Sequence, residues 1–293
     1  MIDSPGIFCV IVAYRPDCSG LNNKIRDLAA EFKVVVVSNA DGVDAQRDFE
    51  RLVDNDLCFK IPLGANQGIG AAQNVGIEHA LGQGAKYVLL LDDDSEIGNA
   101  DIIALKNRYC QLASAGMKVG AVATAVVDAD SLKNMVHTLD LNQSYTMIRD
   151  LMSSGTLISS EILRVVGPMR EDLFIDCVDY EWGWRCLRRG FMLVVDNEVK
   201  IRHRLGQSVV KGPLGLAIRV PAPIRHYYQF RNVIALILYE ASAPLAWRLR
   251  NTLALLLKLP IYLVMLDVRS ERASYIFAGI RDGFKKHMGK YAC

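Results

Sequence analysis

The sequence predicts an α/β protein with a mostly parallel sheet flanked by helices and a C-terminal helical extension. Short apolar runs alternate with helix-length segments from residue 7 to residue 127. Such alternation is typical of a Rossmann-like sheet covered by helices on both faces. After residue 206 the pattern changes to consecutive helix-length segments. The chain has 293 residues, 51% of them hydrophobic, which is enough for a large buried core.

The elements follow in order along the chain. Strands are predicted at residues 7–14, 33–38, 57–62, 87–91, 119–127 and 192–195, because these runs are apolar and rich in Val, Ile or Leu. Helices are predicted between the first five strands, at residues 23–32, 44–55, 70–82 and 101–115. The extension is predicted to form helices at 225–241, 244–268 and 271–287. We therefore divide the chain into a sheet domain, residues 1–206, and a helical extension, residues 207–293.

Three consecutive carboxylates, Asp92, Asp93 and Asp94, directly follow the apolar run 87–91. Alternate side chains of a strand point to the same side, which predicts that Asp92 and Asp94 point together and Asp93 points away. Converging carboxylates repel one another unless a hard divalent cation lies between them. Ligands of parallel sheets bind beyond the carboxyl ends of the strands, where Tyr14 and residues 38–41 also fall. This coincidence favours a cation site over a solvated acidic turn.

A glycine-rich turn at residues 64–76 opens a predicted helix and includes Asn66, Gly68 and Asn74. Glycines permit positive φ and close backbone approach, and free N–H groups at a helix start favour an anion. The turn is not a Walker loop, because no Lys-Ser/Thr pair follows it. Tight packing alone remains an alternative explanation for the glycines, whereas the two asparagines indicate a ligand-facing turn.

A second acidic cluster comprises Asp176, Asp179 and Glu181, close to Trp182 and Trp184. If a helix begins at residue 180, Asp179 lies at or near its N-cap, and capping explains one of the three acids. A carboxylate at a ligand-facing helix start is also suited to deprotonating an acceptor hydroxyl. The indoles are suited to form an apolar platform for a sugar ring.

His203 stands between Arg202 and Arg204, after the predicted strand 192–195. A lone histidine is more often structural than functional. Next to two arginines its ring would stay neutral and available to a metal, while the arginines face phosphate. Both interpretations stay open on the sequence pattern alone.

The charge of the chain is unevenly distributed. Residues 211–293 contain 13 Lys/Arg and 4 Asp/Glu, which gives this part a charge of +9 although the whole chain carries +2. The apolar run 253–266 includes Lys258 and Pro260 and is too short for a clean membrane span. It is predicted to lie flat on an anionic membrane surface. A core helix or a homo-oligomer contact is the alternative. Nucleic acid is disfavoured, because the basic residues are interleaved with Leu and Ile.

The cysteines and the amino terminus bear on the cellular compartment. Seven cysteines form an odd set without a CxxC pair, which argues against a disulfide framework and a zinc ribbon. No basic stretch precedes the first apolar run, as it would in a secretory signal. A cytoplasmic protein is expected.

Five segments together resemble a known family. Residues 11–14, 38–41, 64–76, 91–95 and 174–185 occur in the order and spacing of family 2 glycosyltransferases. Within it, the chain is most similar to bacterial rhamnosyltransferases that build O-antigen and related surface polysaccharides, and the resemblance covers about residues 7–205. It implies a GT-A fold and an inverting, single-displacement transfer of a sugar from a nucleoside diphosphate. It favours dTDP-rhamnose as the donor. The segment 225–232 also resembles the helical extension of the family, though it is less diagnostic.

The resemblance also implies roles for individual residues. Asp92 and Asp94 match the positions that hold Mg²⁺ or Mn²⁺ on the diphosphate, and His203 matches a histidine that completes the metal site in some relatives. Asp179 matches the general base. The residues expected to contact the nucleotide-sugar donor are Tyr14, Asn39, Asp41, Asn66, Gly68, Asn74, Asp92 and Asp93. Those expected to contact the acceptor are Asp176, Glu181 and Trp182. Asp93 departs from the family pattern, in which rhamnosyltransferases often have Gln, and this departure would alter donor contacts without abolishing metal binding.

The expected partners are a lipid-linked or polysaccharide acceptor and the anionic inner face of the cytoplasmic membrane, where the protein would be peripheral. A UDP-sugar donor such as UDP-galactofuranose is an alternative. A nucleotidyltransferase is disfavoured, because it requires a Lys/Arg-rich glycine loop near the first strand, and residues 6–17 contain only Arg15. A non-catalytic assembly subunit would retain the fold and bind a partner enzyme through its tail. The presence of Asp92, Asp94 and Asp179 argues against it.

Overall fold

The computed structural model describes residues 6–52, 57–128, 143–203, 208–211, 217–265 and 268–292. Its strands are β1 (Ile7–Ala13), β2 (Lys33–Ser38), β3 (Phe59–Pro62), β4 (Tyr87–Asp92), β5 (Val119–Asp128), β6 (Tyr145–Ile148), β7 (Thr156–Ser159), β8 (Met192–His203), β9 (Ser208–Lys211) and β10 (Ala217–Val220). Its helices are α1 (Cys18–Ala29), α2 (Val43–Leu52), α3 (Ile69–Gly82), α4 (Asn99–Ser114), α5 (Ser160–Val166), α6 (Val178–Arg188), α7 (Pro223–Tyr239), α8 (Leu245–Met265) and α9 (Arg269–Lys285). The predicted domain boundary at residue 206 lies outside the described residues.

Within these residues, eight strands form one sheet in the order β3-β2-β1-β4-β7-β5-β8-β6, and β9 and β10 form a separate hairpin. Strands β3, β2, β1 and β4 are parallel, as predicted. The other half is mixed, because β7 lies antiparallel between β4 and β5, and β6 lies antiparallel to β8. Neither β6 nor β7 was predicted, since a run of four residues is too short for its periodicity to be informative. The predicted α/β class is confirmed.

Helices cover both faces of the sheet, because the strands are apolar on both sides. On one face Val10 and Val35 pack in a cluster that includes Ala72 of α3 and Trp182 of α6. On the other face Ile11 packs in a cluster with residues of α1 and α4. This arrangement leaves the carboxyl edge of β1, β2 and β4 as the place where polar side chains gather.

Helix α1 begins five residues before its predicted start, at Cys18 rather than at residue 23. The cause is an N-cap: the carboxylate of Asp17 accepts hydrogen bonds from Ser19 N (3.2 Å) and Gly20 N (3.3 Å). This start brings α1, and with it Lys24, close to the end of β4.

The three predicted helices of the extension correspond to α7, α8 and α9, with ends that differ by a few residues. Val233 and Leu236 of α7 belong to the same core cluster as the sheet strands. Trp247 of α8 meets Trp184 of α6 edge-on, with ring centroids 4.7 Å apart. The extension is thus joined to the sheet by a shared core. None of the helices in the described ranges is long and apolar enough to cross a membrane.

Candidate active site

The acidic triplet lies where β4 ends. The strand stops at Asp92, which pairs with Val12 of β1, and Asp93 and Asp94 occupy the following turn. Strand alternation therefore does not fix the direction of Asp94, which is exposed. The carboxylate of Asp93 accepts a hydrogen bond from Tyr14 N (2.9 Å), so it fastens the loop after β1 to the end of β4.

The ammonium group of Lys24 lies against this turn. Lys24 Nζ donates to the carbonyl oxygens of Asp92 (3.1 Å) and Asp93 (2.5 Å). Burial lowers the pKa of Lys24, and the charges of the nearby carboxylates oppose that shift. Burial, with the charge of Asp94, raises the pKa of Asp93 against the effect of the Tyr14 N–H. The edge thus concentrates negative charge in a partly desolvated place, which suits a cation.

The residues present fit a divalent cation that protein and substrate hold together. Within the described residues, no three His, Cys, Asp or Glu side chains form a cluster able to hold a metal alone. Mg²⁺, however, is usually bound through one or two carboxylates plus substrate phosphates and waters. Asp92, at the end of β4, and Asp94, in the turn that follows, are the two carboxylates that would hold such a cation. The side chain of His203 lies outside the described part of the structure.

A cavity of about 470 Å³ opens beyond the carboxyl ends of β1 and β2. Its lining includes Arg15, Ser38, Asp41 and Phe49. Cavities of this size accept small organic ligands, and polar groups around an apolar wall fix their orientation. Two predicted donor residues lie at this cavity. Asp41 is part of its lining, and Tyr14, which is 46% exposed, directly precedes the lining residue Arg15.

Two polar side chains at the end of β2 hold the glycine-rich turn beside this cavity. The Oδ1 atom of Asn39 accepts from Gln67 N (2.8 Å), and the Oδ1 atom of Asp41 accepts from Asn66 N (2.8 Å). Asp41 also pairs with Lys290 Nζ at 3.2 Å. The hydrogen bond from Asn66 N and the Lys290 charge lower the pKa of Asp41. The C-terminal residues therefore reach the predicted donor site.

Gly68 permits a close approach of two backbone segments. Its φ is +92°, and a Cβ atom there would lie 2.5 Å from the carbonyl oxygen of Phe174. The same carbonyl accepts a hydrogen bond from Ile69 N (2.7 Å). The start of α3 thus receives a protein carbonyl, and this contact explains Gly68 by packing.

Asn74 is buried and lies away from the cavity lining. Its Oδ1 atom accepts from Met169 N (2.7 Å), while its Nδ2 atom donates to Met169 O (2.9 Å) and to Glu171 Oε1 (2.8 Å). The structure therefore does not bring Asn74 to the other predicted donor residues. It gives this side chain a structural role, because helical periodicity turns position 74 toward the 169–171 segment.

Asp179 lies in the first turn of α6, one residue after the helix begins at Val178. Its Oδ1 atom accepts from Tyr180 N at 2.9 Å. Burial raises the pKa of Asp179 to about 7, although hydrogen bonds from the backbone of Tyr180 and Ser153 favour the ionised form. A carboxylate with a pKa near neutrality is suited to general-base catalysis.

Arg225, near the start of α7, pairs with the second acidic cluster. Its Nη2 atom donates to Asp176 Oδ1 at 2.8 Å, and its Nε atom lies 3.2 Å from both oxygens of that carboxylate. The charge of Asp176 raises the pKa of Arg225 against the effect of burial, and Asp92 and Asp179 add to that increase. The guanidinium is thus within electrostatic reach of all three acids. Arg225 is not among the predicted site residues, although it begins the segment 225–232.

Glu181 and Trp182, predicted acceptor residues, have structural partners. Both are closed off from solvent, with 3% and 0% of their surface exposed. Glu181 Oε1 accepts from Arg185 Nε (2.8 Å), and Trp182 Nε1 donates to Gly167 O (2.9 Å). The predicted indole platform is not present, because Trp182 and Trp184 both face the core. Of the predicted acceptor residues, only Asp176 lies with Asp179 and Arg225.

The architecture is that of the GT-A glycosyltransferases. The crystal structure of S. aureus TarS 1-349 in complex with UDP-GlcNAc matches with a TM-score of 0.57 at 14% identity, over 95% of this chain and 80% of that chain. A longer S. aureus TarS chain matches with a TM-score of 0.53 at 14% identity, over 95% of this chain, which spans only 48% of it. The crystal structure of GalNAc-T7 with UDP, GalNAc and Mn²⁺ matches with a TM-score of 0.51 at 11% identity, over 96% of this chain and 56% of that chain. At these identities the likeness concerns the fold alone.

Two sequence comparisons identify the family. Residues 9–150 match the model of Glycosyl transferase family 2. Over 261 residues the chain is 33% identical to dTDP-rhamnosyl transferase RfbF of Shigella flexneri. The alignment covers 84% of this chain and 84% of that protein. The chain therefore belongs to glycosyl transferase family 2 and is a glycosyltransferase similar to rhamnosyltransferases. The predicted family, fold and enzyme class are confirmed.

Proposed function

We propose that this chain is an inverting, divalent-metal-dependent rhamnosyltransferase that uses dTDP-rhamnose. The acceptor would be a hydroxyl of a lipid-linked or polysaccharide glycan made for the cell surface. One observation carries the reaction type: Asp179 lies in the first turn of α6, three residues after Asp176, whose carboxylate pairs with Arg225 at 2.8 Å, and burial raises the pKa of Asp179 to about 7. The favoured donor rests on the similarity to the dTDP-rhamnosyl transferase of Shigella flexneri.

In this proposal Asp179 takes the proton of the acceptor hydroxyl while that oxygen attacks the anomeric carbon of the donor. The bond between that carbon and the diphosphate breaks in the same step, so the configuration inverts and no covalent enzyme intermediate forms. Arg225, held by Asp176, stabilises the charge that develops on the leaving diphosphate. A divalent cation held by Asp92 and Asp94, when bound, would neutralise more of that charge.

The donor nucleoside is assigned to the cavity beyond β1 and β2. Asp41 lines this cavity, Tyr14 directly precedes the lining residue Arg15, and Asn39 and Asp41 hold the backbone of the glycine-rich turn at Gln67 and Asn66. The resemblance implies that Tyr14, Asn39, Asp41 and Asn66 contact the donor. A UDP-sugar is the alternative donor, since a structure of similar fold was determined with UDP-GlcNAc. The two hypotheses predict that different nucleotide sugars bind and stabilise the folded protein, dTDP-rhamnose in one and a UDP-sugar in the other.

A thermal-shift panel tests the donor. With Mn²⁺ present, dTDP-rhamnose at about 100 times its Kd is expected to raise the melting temperature by roughly 4–5 °C, because a ligand that binds only the native state stabilises it by about 2.7 kcal/mol. UDP-galactofuranose and UDP-GlcNAc at the same concentration serve as matched controls. A larger shift with a UDP-sugar would favour the alternative donor. No shift with any nucleotide sugar would favour a non-catalytic assembly subunit.

The extension is proposed to place the enzyme on the anionic inner face of the cytoplasmic membrane. One side of α8 carries leucines that are each at least 58% exposed, namely Leu245, Leu249, Leu253, Leu256 and Leu257. Their spacing of three to four residues forms a single apolar stripe. Lys258 of α8 is exposed nearby, and residues 211–293 carry a charge of +9. A basic, apolar helix face of this kind binds the interface of anionic lipids.

Replacing Leu249 and Leu253 together with Glu is expected to abolish cosedimentation with anionic vesicles, because it removes apolar area and adds charge that the lipids repel. The matched control is Val165→Glu on α5, since Val165 is also exposed, at 47%, but lies outside the stripe. Light scattering separates the alternative. If the wild type does not cosediment with vesicles and is a dimer, whereas the double variant is a monomer, the stripe is a contact between copies.

A further inference from the structure

The loop of residues 172–177 leads into α6 and carries Asp176 just before Asp179. Three of its residues have positive φ, namely Phe174 (65°), Asp176 (64°) and Cys177 (65°). Residues with a side chain rarely adopt this region, and they keep it only where the surrounding structure over-determines it. The loop must therefore be held by contacts outside itself.

Asn232 of α7 supplies these contacts. It is completely buried, and its Nδ2 atom donates to the carbonyl oxygens of Leu173 (2.9 Å), Ile175 (2.7 Å) and Asp176 (3.0 Å). One amide group thus gathers three carbonyls of the same loop. These bonds fix the peptide planes on both sides of Asp176 and the plane before Phe174, and with them the path of the chain into α6.

Arg231, the preceding residue, orients this amide. Its Nε atom donates to Asn232 Oδ1 (2.8 Å), which leaves Nδ2 directed at the loop. Its Nη2 atom donates to the carbonyl oxygens of Leu173 (2.8 Å) and Asp172 (3.2 Å). The guanidinium is fully buried and lies 5.3 Å and 5.0 Å from the ring centroids of Tyr227 and Tyr228.

Phe174 contacts both neighbours of the loop. Its ring stacks on Tyr228 of α7, with ring centroids 4.8 Å apart, and its carbonyl oxygen accepts from Ile69 N at 2.7 Å, beside Gly68. The loop is therefore held between the glycine-rich turn on one side and α7 on the other. Burying a charged guanidinium and an amide is unfavourable unless every bond is made, so apolar residues would join α7 to the core more simply. The polar pair indicates a requirement for one particular loop geometry.

We infer that Asn232, oriented by Arg231, is a positioning residue that sets the loop 172–177 so that Asp179 and Asp176 face the reacting groups. This inference rests on the proposed role of Asp179 as the base. It assigns to the helical extension a part in catalysis that is separate from membrane binding. A purely structural role, in which the pair only fastens α7 to the sheet, makes a different prediction.

The variant Asn232→Ser removes the amide donors and leaves room for water to bond the carbonyls. We expect kcat to fall roughly 100-fold, because misplacement of a catalytic group by about 1 Å has an effect of that size. The donor Kd, measured by calorimetry, is expected to stay within about two-fold of the wild type, since the nucleoside cavity lies on the other side of the glycine-rich turn. The acidic limb of the kcat–pH profile is expected to move to lower pH by about one unit, because a loosened loop exposes the Asp179 carboxylate to water.

Asn197→Ser is the matched control. Asn197 is buried, and its Nδ2 atom donates to a backbone carbonyl, that of Gln143 at 2.9 Å, but it lies in β8 outside the loop. If Asn232→Ser and Asn197→Ser lose similar stability and both keep the wild-type kcat and pH profile, the inference is overturned. If Asn232→Ser does not fold, Asn232→Asp keeps the size and the bond from Arg231, and the same loss of kcat at retained donor affinity is expected.

Asp179→Asn, measured alongside, separates this inference from the proposed function. Retained transfer in Asp179→Asn would remove the base assignment itself. Abolished transfer in Asp179→Asn, together with unchanged kcat in the Asn232 variants, would leave the base assignment intact and overturn only the positioning role.

Discussion

Replacing Asp179 with Asn is expected to lower the transfer rate by about 10²–10⁴-fold, the usual contribution of a general base. Donor binding and its dependence on Mn²⁺ are expected to persist, since Asp179 is assigned to the acceptor hydroxyl. The Asn side chain keeps the shape and one oxygen, which can still accept the hydrogen bond from Tyr180 N. Initial rates and calorimetry with dTDP-rhamnose measure the two effects separately. Lost donor affinity with retained chemistry would refute the assignment.

The pH profile gives a second readout. Because the pKa of Asp179 is raised to about 7, the wild type is expected to lose activity as the pH falls below that value. Below it the carboxyl group is protonated and unable to accept a proton, so kcat should fall about tenfold per pH unit. The residual activity of Asp179→Asn should lack this limb.

The raised pKa of Asp179 also predicts that the variant Asp179→Asn gains stability relative to the wild type at neutral pH. The folded state holds the Asp179 proton more tightly than the unfolded chain, whose reference value is 3.8, so ionising this group destabilises the fold. The penalty is absent below the unfolded value, grows between the two values and is complete above about 7. The melting temperature of Asp179→Asn relative to the wild type should therefore rise from pH 4 to pH 7 and stay level above. The control Asp176→Asn should be less stable than the wild type at pH 7, because it weakens the pair with Arg225.

The edge of the sheet was predictable because its signals are local. Apolar runs give β1, β2 and β4 from sequence, and parallel pairing then brings Asp41 and Asp92 to the same edge. The start of α1 was also predictable, because an Asp such as Asp17 is a common N-cap residue, although helical periodicity alone places the start later.

The remainder of the site depends on contacts between distant segments. Nothing near Asp176 in sequence indicates that Arg225 pairs with it or that Asn232 binds its carbonyl, because 49 and 56 residues separate them. Glu181 and Trp182 were misplaced for the same reason. A helix with acids and indoles has more than one candidate buried face, and the packing of α5, α8 and the sheet decides which one is chosen.

The second large effect concerns the acidic turn after β4. Asp92→Asn and Asp94→Asn are each expected to lower transfer by roughly 10²–10³-fold, because a catalytic metal supplies several kcal/mol of charge stabilisation. Both variants should also lose the part of the dTDP-rhamnose thermal shift that depends on Mn²⁺. Asp93→Asn should keep that part, since the carboxylate of Asp93 is bonded to Tyr14 N and an amide oxygen can accept the same bond.

Glu96→Gln provides the matched control for these variants. Glu96 is an exposed acid two residues beyond Asp94, so its loss changes the local charge by the same amount without removing a proposed ligand. If the triplet acts only through its total negative charge, all the variants will weaken Mn²⁺ binding alike. If Asp92 and Asp94 are ligands, only those two will, because coordination requires a carboxylate oxygen at a given place, whereas the exposed Glu96 acts only through a charge that water screens. Mn²⁺ binding that survives in both Asp92→Asn and Asp94→Asn would contradict the metal assignment.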